Sequence, residues 1–226
     1  DNSAVEKNNA ALDNYNSGNS DQAIAGFKQA ADDAVTNTNK VNTLKNLAYV
    51  YSSEQQDDKA LETFQQALTL TSEGSFDFYL ISGEIALLQA KPNSALLSFN
   101  KALAMEPNDF QINNALNLFY LDLSDTAPQY VDYAKALAYA LKAYNSDPDK
   151  TSTASQNLGI AYFFNEQYDN AITYLKMSDV NKEPYLALWL GLAYASKDQS
   201  AMAKYYFNIA IKAGVEIPQE VTDYMY

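Results

Sequence analysis

A short pattern of small and bulky residues returns six times along this chain, and it constrains the fold more than any other feature. Ala is followed four places on by an aromatic or apolar residue, and three places after that by a small one. The copies are Ala23, Phe27, Ala30; Ala60, Phe64, Ala67; Ala95, Phe99, Ala102; Ala136, Ala140, Ala143; Ala171, Leu175, Ser178; and Ala203, Phe207, Ala210. They start 37, 35, 41, 35 and 32 residues apart. The spacing within each copy marks one face of an α-helix. A repeat of this length is a unit that cannot bury its apolar face alone, so neighbours must stack.

A second motif precedes five of the copies. Leu47, Ala48 and Tyr51 stand ahead of the second, and Ser82, Gly83 and Ala86 ahead of the third. Leu116, Asn117 and Tyr120 precede the fourth, Leu158, Gly159 and Tyr162 the fifth, and Leu190, Gly191 and Tyr194 the sixth. The first copy is degenerate, with Ala10, Ala11, Asn14 and then Tyr15. That is expected of a terminal repeat with one side in solvent. Small residues in both helices of a pair let the two approach closely, and Tyr, Phe and Leu fill the space between pairs. The pattern predicts helices over about 3–16, 20–34, 39–53, 57–71, 76–90, 92–105, 108–122, 129–146, 150–165, 168–179, 184–196 and 199–213. All six prolines fall at helix edges in this register, and Gly18, Gly74 and Gly214 fall at helix ends. Gly26 falls inside a helix, and the sequence gives no account of it.

The fullest copy, Leu158-Gly159-x-x-Tyr162 followed by Tyr168, Ala171 and Leu175, resembles the tetratricopeptide repeat. The resemblance covers residues 4 to 214. It departs from the family where the first helix lacks Trp. Leu44 and Tyr79 take that place, and Trp189 sits two residues off. The closing Pro is present only at Pro107 and Pro148. The resemblance implies an all-α, right-handed superhelical solenoid of antiparallel helix pairs, with 1–226 as one domain. Its repeats would be about 4–36, 39–73, 76–107, 108–148, 150–182 and 184–214. A capping helix near 218–225 would bring Val221, Tyr224 and Met225 against the sixth pair.

Composition narrows the chemistry. All 15 basic residues are Lys, and Arg, His and Cys are absent. Without them the chain has no imidazole base, no thiol nucleophile, no bidentate guanidinium clamp and no Cys/His zinc site. Paired carboxylates remain, but Asp32-Asp33 and Asp57-Asp58 read as solvated helix-end charges. Asp147-Pro148-Asp149-Lys150-Thr151 lacks the central Gly and distant Glu of a calcium loop and reads as a turn. No catalytic residue, metal ligand or cofactor is expected. A net charge of −13 opposes binding to nucleic acid and to anionic membrane surfaces. It favours solubility, and it attracts a basic partner. The longest nearly apolar stretch, Tyr185 to Ala195, is too short to span a bilayer.

In proteins resembling this family, a second stripe on each first helix lines a concave groove. The matching residues here include Lys45 and Tyr49 in the second pair, Glu84 in the third and Asn114 in the fourth. Gln156 and Phe163 follow in the fifth pair and Tyr185 in the sixth, with Asn8, Asp77, Leu80 and Leu118 on the same stripe. Amides there can pair with a peptide backbone, and aromatic rings can anchor side chains; the opposing expectation is that these residues pack internally. A carboxylate clamp of the kind some family members carry is not expected. Lys45 suits its opening position, but Tyr49 stands where Asn is needed, and Asp77 and Asp122 carry the wrong sign. The fourth repeat carries an insertion of about seven residues, with Ser124 to Pro128 as a loop and Gln129 and Tyr130 starting the next helix; it reads as a tolerated surface insertion, with an edge binding lobe as the alternative.

The expected function is a non-enzymatic adaptor or scaffold that holds an extended segment of another protein. A self-assembling structural role and a glycan-binding role are the alternatives, the latter hinted at by Phe163, Phe164 and Tyr168. A chain that begins at Asp1 and is rich in Asn and Tyr is similar to exported repeat proteins of Gram-negative envelopes, so an exported or periplasmic location is expected.

Overall fold

The computed structural model describes residues 2–122, 127–147, 152–219 and 221–222. Those residues form twelve α-helices and no strand. They are α1 (Asn2–Asn16), α2 (Ser20–Asp33), α3 (Asn37–Ser53), α4 (Asp57–Thr69), α5 (Phe76–Leu88) and α6 (Pro92–Met105). After these come α7 (Phe110–Asp122), α8 (Tyr133–Ser146), α9 (Ser152–Phe164), α10 (Tyr168–Leu175), α11 (Tyr185–Ala195) and α12 (Ser200–Lys212). The chain divides into two compact units, Asp1–Pro107 with three helix pairs and Asn108–Tyr226 with three more. Within each unit every helix packs on the next.

First and second helices begin by different devices. Side chains cap three first helices, α3, α5 and α7: Asn39 N–H donates to Thr36 Oγ1 at 3.3 Å, Phe78 N–H to Ser75 Oγ at 3.2 Å, and Ile112 N–H to Asp109 Oδ1 at 3.1 Å. The second helices α2, α4, α6, α10 and α12 have no such cap. Each is entered from a tight turn with one left-handed residue: Gly18, Gln55, Ala90, Glu166 or Asp198, at φ of 78°, 56°, 54°, 58° and 56°. The turn is closed by an amide reaching back to the preceding helix: Gln56 to Tyr51 at 2.8 Å, Lys91 to Ala86 at 2.8 Å, Gln167 to Tyr162 at 3.0 Å and Gln199 to Tyr194 at 2.9 Å. The acceptors are the third residues of the second sequence motif, so this motif also fixes where each pair folds back.

In the fourth pair the insertion stands between the two helices. Ser124, Asp125 and Thr126 lie outside the described residues, as do Pro148 to Thr151. The expected helix 129–146 is corrected here. Pro128–Tyr130 form a single 3-10 turn, and α8 starts at Tyr133 with Asp132 accepting from Lys135 N–H at 3.0 Å. The end of the insertion folds onto α7: Asp132 N–H bonds Tyr120 O at 3.0 Å, and the Tyr130 ring meets Phe119 at 5.6 Å.

Close contact between the two motifs locks each pair. A methyl added at Gly83 would lie 2.3 Å from the Phe99 ring, and one at Gly191 would lie 2.3 Å from Phe207. At Gly159 it would meet Leu175 Cγ at 2.7 Å and the Leu175 backbone nitrogen at 3.0 Å. Ala11 with Phe27, and Ala48 with Phe64, occupy the same positions in their clusters. These bulky partners are fully or almost fully buried, and burial of each stabilises by about 1.5–3 kcal/mol. Gly26 is explained by the same geometry: a methyl there would sit 2.9 Å from Ala11 Cβ. At the other end Val221 joins the core of α11 and α12, while Tyr224 and Met225 lie outside the described residues.

Candidate functional site

Successive first helices touch along one face in each unit, and polar side chains join them there. In Asp1–Pro107, Asn46 Nδ2 of α3 donates to Asn8 Oδ1 of α1 at 3.1 Å. Between α3 and α5, Lys45 Nζ bonds Asp77 Oδ1 at 2.6 Å, and the Tyr49 hydroxyl donates to Glu84 Oε1 at 3.1 Å. Lys45 is 3% exposed and Asp77 is 34% exposed, so the lysine is spent holding α3 to α5. Leu80 is fully buried, which corrects its assignment to the groove stripe: it is a core residue.

Glu84 differs from its neighbours. It is half-buried, and Tyr49 is its hydrogen-bond donor. Burial pushes its carboxyl up to about 7, and the Tyr49 hydrogen bond only partly opposes that rise.

In Asn108–Tyr226 the same face is built from amides and rings. Asn157 Nδ2 of α9 donates to Asn114 Oδ1 of α7 at 2.7 Å. Gln156 is buried; its Oε1 accepts from the Tyr185 hydroxyl at 2.6 Å, and its amide donates to Ser178 Oγ at 3.3 Å and to Glu183. The Tyr185 ring remains 42% exposed, and Leu118 is 41% exposed. Phe163 is half-buried within a ring cluster, 5.4 Å from Trp189 and 5.6 Å from both Phe164 and Tyr168. The rings that hinted at a sugar platform therefore pack edge to face on one another.

The seven candidate residues thus all lie on first helices, in two groups: Lys45, Tyr49 and Glu84 in one unit, and Asn114, Gln156, Phe163 and Tyr185 in the other. Most of their polar atoms are engaged between helices. The sequence did not reveal the cross-helix pairs, because the partners lie about one repeat apart. Among the described residues no cluster of carboxylates could hold a metal ion, and no helix is long and apolar enough to cross a membrane.

Antiparallel helix pairs stacked in chain order, with small residues at the contacts, define the chain as a helical-repeat protein of the kind that acts as a protein-interaction scaffold. Residues 43–75 match the tetratricopeptide repeat model, and the helix pairs of the chain are similar to those of tetratricopeptide-repeat structures. No curated protein matches it. Among solved structures it is similar to PilW, a widely conserved type IV pilus biogenesis factor, at 25% identity and TM-score 0.57, covering 80% of each chain. It is also similar to the Cut9-Hcn1 complex, at 17% identity and TM-score 0.65, covering 98% of this chain but 42% of that one. A thermophilic tetratricopeptide protein of Thermus thermophilus matches at 17% identity and TM-score 0.57, over 85% of this chain and 99% of that one. The last two likenesses concern the fold alone.

Proposed function

We propose that this chain is a non-enzymatic scaffold whose first-helix faces receive an extended segment of another protein. The observation that carries this reading is the polar stripe of the first helices. Successive helices present amides, carboxylates and ring edges at matching positions, such as Lys45 with Asp77 and Asn114 with Asn157. Neighbouring helices pack about 8–10 Å apart, a distance that three or four residues of extended peptide cover. Side chains already fixed by internal hydrogen bonds offer a pre-organised surface and reduce the ordering cost of binding. An envelope location, suggested by the likeness to PilW, belongs to this proposal. Self-association is the second reading, favoured by Met202 and Tyr205, exposed large side chains about 60° apart around α12.

Affinity capture from the native organism followed by calorimetry tests the proposal. Tyr49→Ala and Phe163→Ala should each weaken the captured partner by about 1–2 kcal/mol or more. Both rings also pack internally, so melting curves accompany the titrations. Unchanged affinity in both variants, with loss of binding on substitution of exposed second-helix residues, would overturn the first-helix assignment. Light scattering decides the second reading, which fails if the chain is monomeric at high concentration.

A further inference from the structure

We propose that Glu84 is the docking point for a cationic side chain, a lysine or arginine of an extended partner segment lying on the first-helix face of Asp1–Pro107. This rests on the scaffold reading above and adds the chemistry of the partner. On α3 and α5 the other two charges of that face, Lys45 and Asp77, neutralise each other at 2.6 Å. Glu84 lies two turns further along α5, and no ion pair engages its carboxylate among the described residues. The Tyr49 hydroxyl satisfies Oε1 and orients the group, leaving Oε2 open to a donor.

A half-buried carboxylate without a counter-charge is costly to ionise, as its raised pKa reflects. An incoming ammonium or guanidinium removes that cost, so ionisation and binding reinforce each other. The chain cannot supply a guanidinium itself, since its basic residues are all Lys, and its net charge of −13 draws cations to its surface. An acidic partner would face the same field and Glu84 together.

Three end-blocked extended octapeptides, identical except for a central Lys, norleucine or Glu, serve as probes in NMR titrations of the backbone amides. The wild type, Glu84→Gln and Tyr49→Phe are compared, with melting curves to establish folding. The Lys peptide should shift amides around Glu84. Its affinity should fall at least about tenfold in Glu84→Gln, and equally when norleucine replaces Lys. Equal binding of the Lys and norleucine peptides, or of wild type and Glu84→Gln, overturns the cationic assignment and leaves the scaffold reading standing. No binding of the Lys peptide at millimolar concentration also overturns it. Shifts confined to second helices would overturn both readings.

Discussion

The two units solve one packing problem with different side chains. In Asp1–Pro107 the second helices insert Phe27, Phe64 and Phe99, and charged groups join the first helices: Lys45 with Asp77, Tyr49 with Glu84. In Asn108–Tyr226 rings move to the outer positions of the repeat. Tyr120 stacks on Tyr139 at 5.8 Å, Tyr162 on Tyr174 at 5.4 Å and Tyr194 on Tyr206 at 5.5 Å. Each pair joins the third residue of the first-helix motif to the helix packed behind it. In the fifth pair Leu175 replaces Phe at the inner position, beside Gly159. The lesson is that the repeat fixes the backbone and the small-residue contacts, while the filling between helices is free to be ionic or aromatic. The ionic version leaves chemistry on the surface; the aromatic version spends its groups on stability.

The sharpest way to break the comparison is at the shared contact. Gly159→Leu should cost about 3 kcal/mol, because both the side chain and the backbone of Leu175 stand in the way. Thermal melts against wild type measure it, and an unchanged melting temperature would mean that α9 and α10 are not in close contact. The next effect is peculiar to the first unit. Glu84 titrates near 7 in the folded chain against 4.5 for the free side chain, so the folded state holds the extra proton between those values. Its stability contribution is therefore present below the unfolded pKa and is lost as pH rises through about 7. Glu84→Gln should stabilise the protein by about 1–3 kcal/mol at pH 8 and change little at pH 4. A pH-independent difference between variant and wild type would remove the desolvation argument.

A smaller effect is expected in the second unit. Asn117 occupies the position held by Gly159 and Gly191 in its neighbours. It is fully buried, with neither side-chain polar atom bonded among the described residues. Leaving such a group unpaired costs about 1–3 kcal/mol, from which the small cavity left by truncation must be subtracted. Asn117→Ala should therefore stabilise by about 1 kcal/mol in urea titrations; destabilisation would mean the amide is satisfied. The smallest effect lies at the turns. Ala90 is held at φ 54°, where a Cβ is strained, whereas Gly18 fills the same place at 78°. Ala90→Gly should gain about 0.5 kcal/mol and Gly18→Ala should lose about 1 kcal/mol. Equal and opposite failure of both signs would exclude strain at these turns.

The repeat, its helices and its core were legible in the sequence because their determinants are local. Ala23, Phe27 and Ala30 lie on one helical face whatever surrounds them, and all three are buried. Prolines could be placed for the same reason: Pro92 opens α6, and Pro184 precedes α11. The start of α8 was misjudged because Gln129 and Tyr130 continue a helical pattern that Asp132 overrides by capping at Tyr133. The left-handed turns at Gln55, Ala90 and Glu166 were hidden because their residue types do not favour positive φ. Their conformation is imposed by the close packing of the two helices they join.

The candidate site divides along the same line. Sequence alone determined an all-helical array of tandem helix pairs without imidazole, thiol or guanidinium, and helical periodicity put Lys45 and Tyr49 on one stripe of α3. Periodicity fixes which face a residue takes. It does not fix which neighbour that residue meets, since the meeting depends on register between helices a full repeat apart. Only the tertiary structure decided that Lys45 is spent on Asp77, that Gln156 is held by Tyr185, and that Glu84 has Tyr49 for its donor and no counter-charge among the described residues. The physical reason is that a charge's behaviour is set by what crowds and desolvates it, and helix packing alone supplies that.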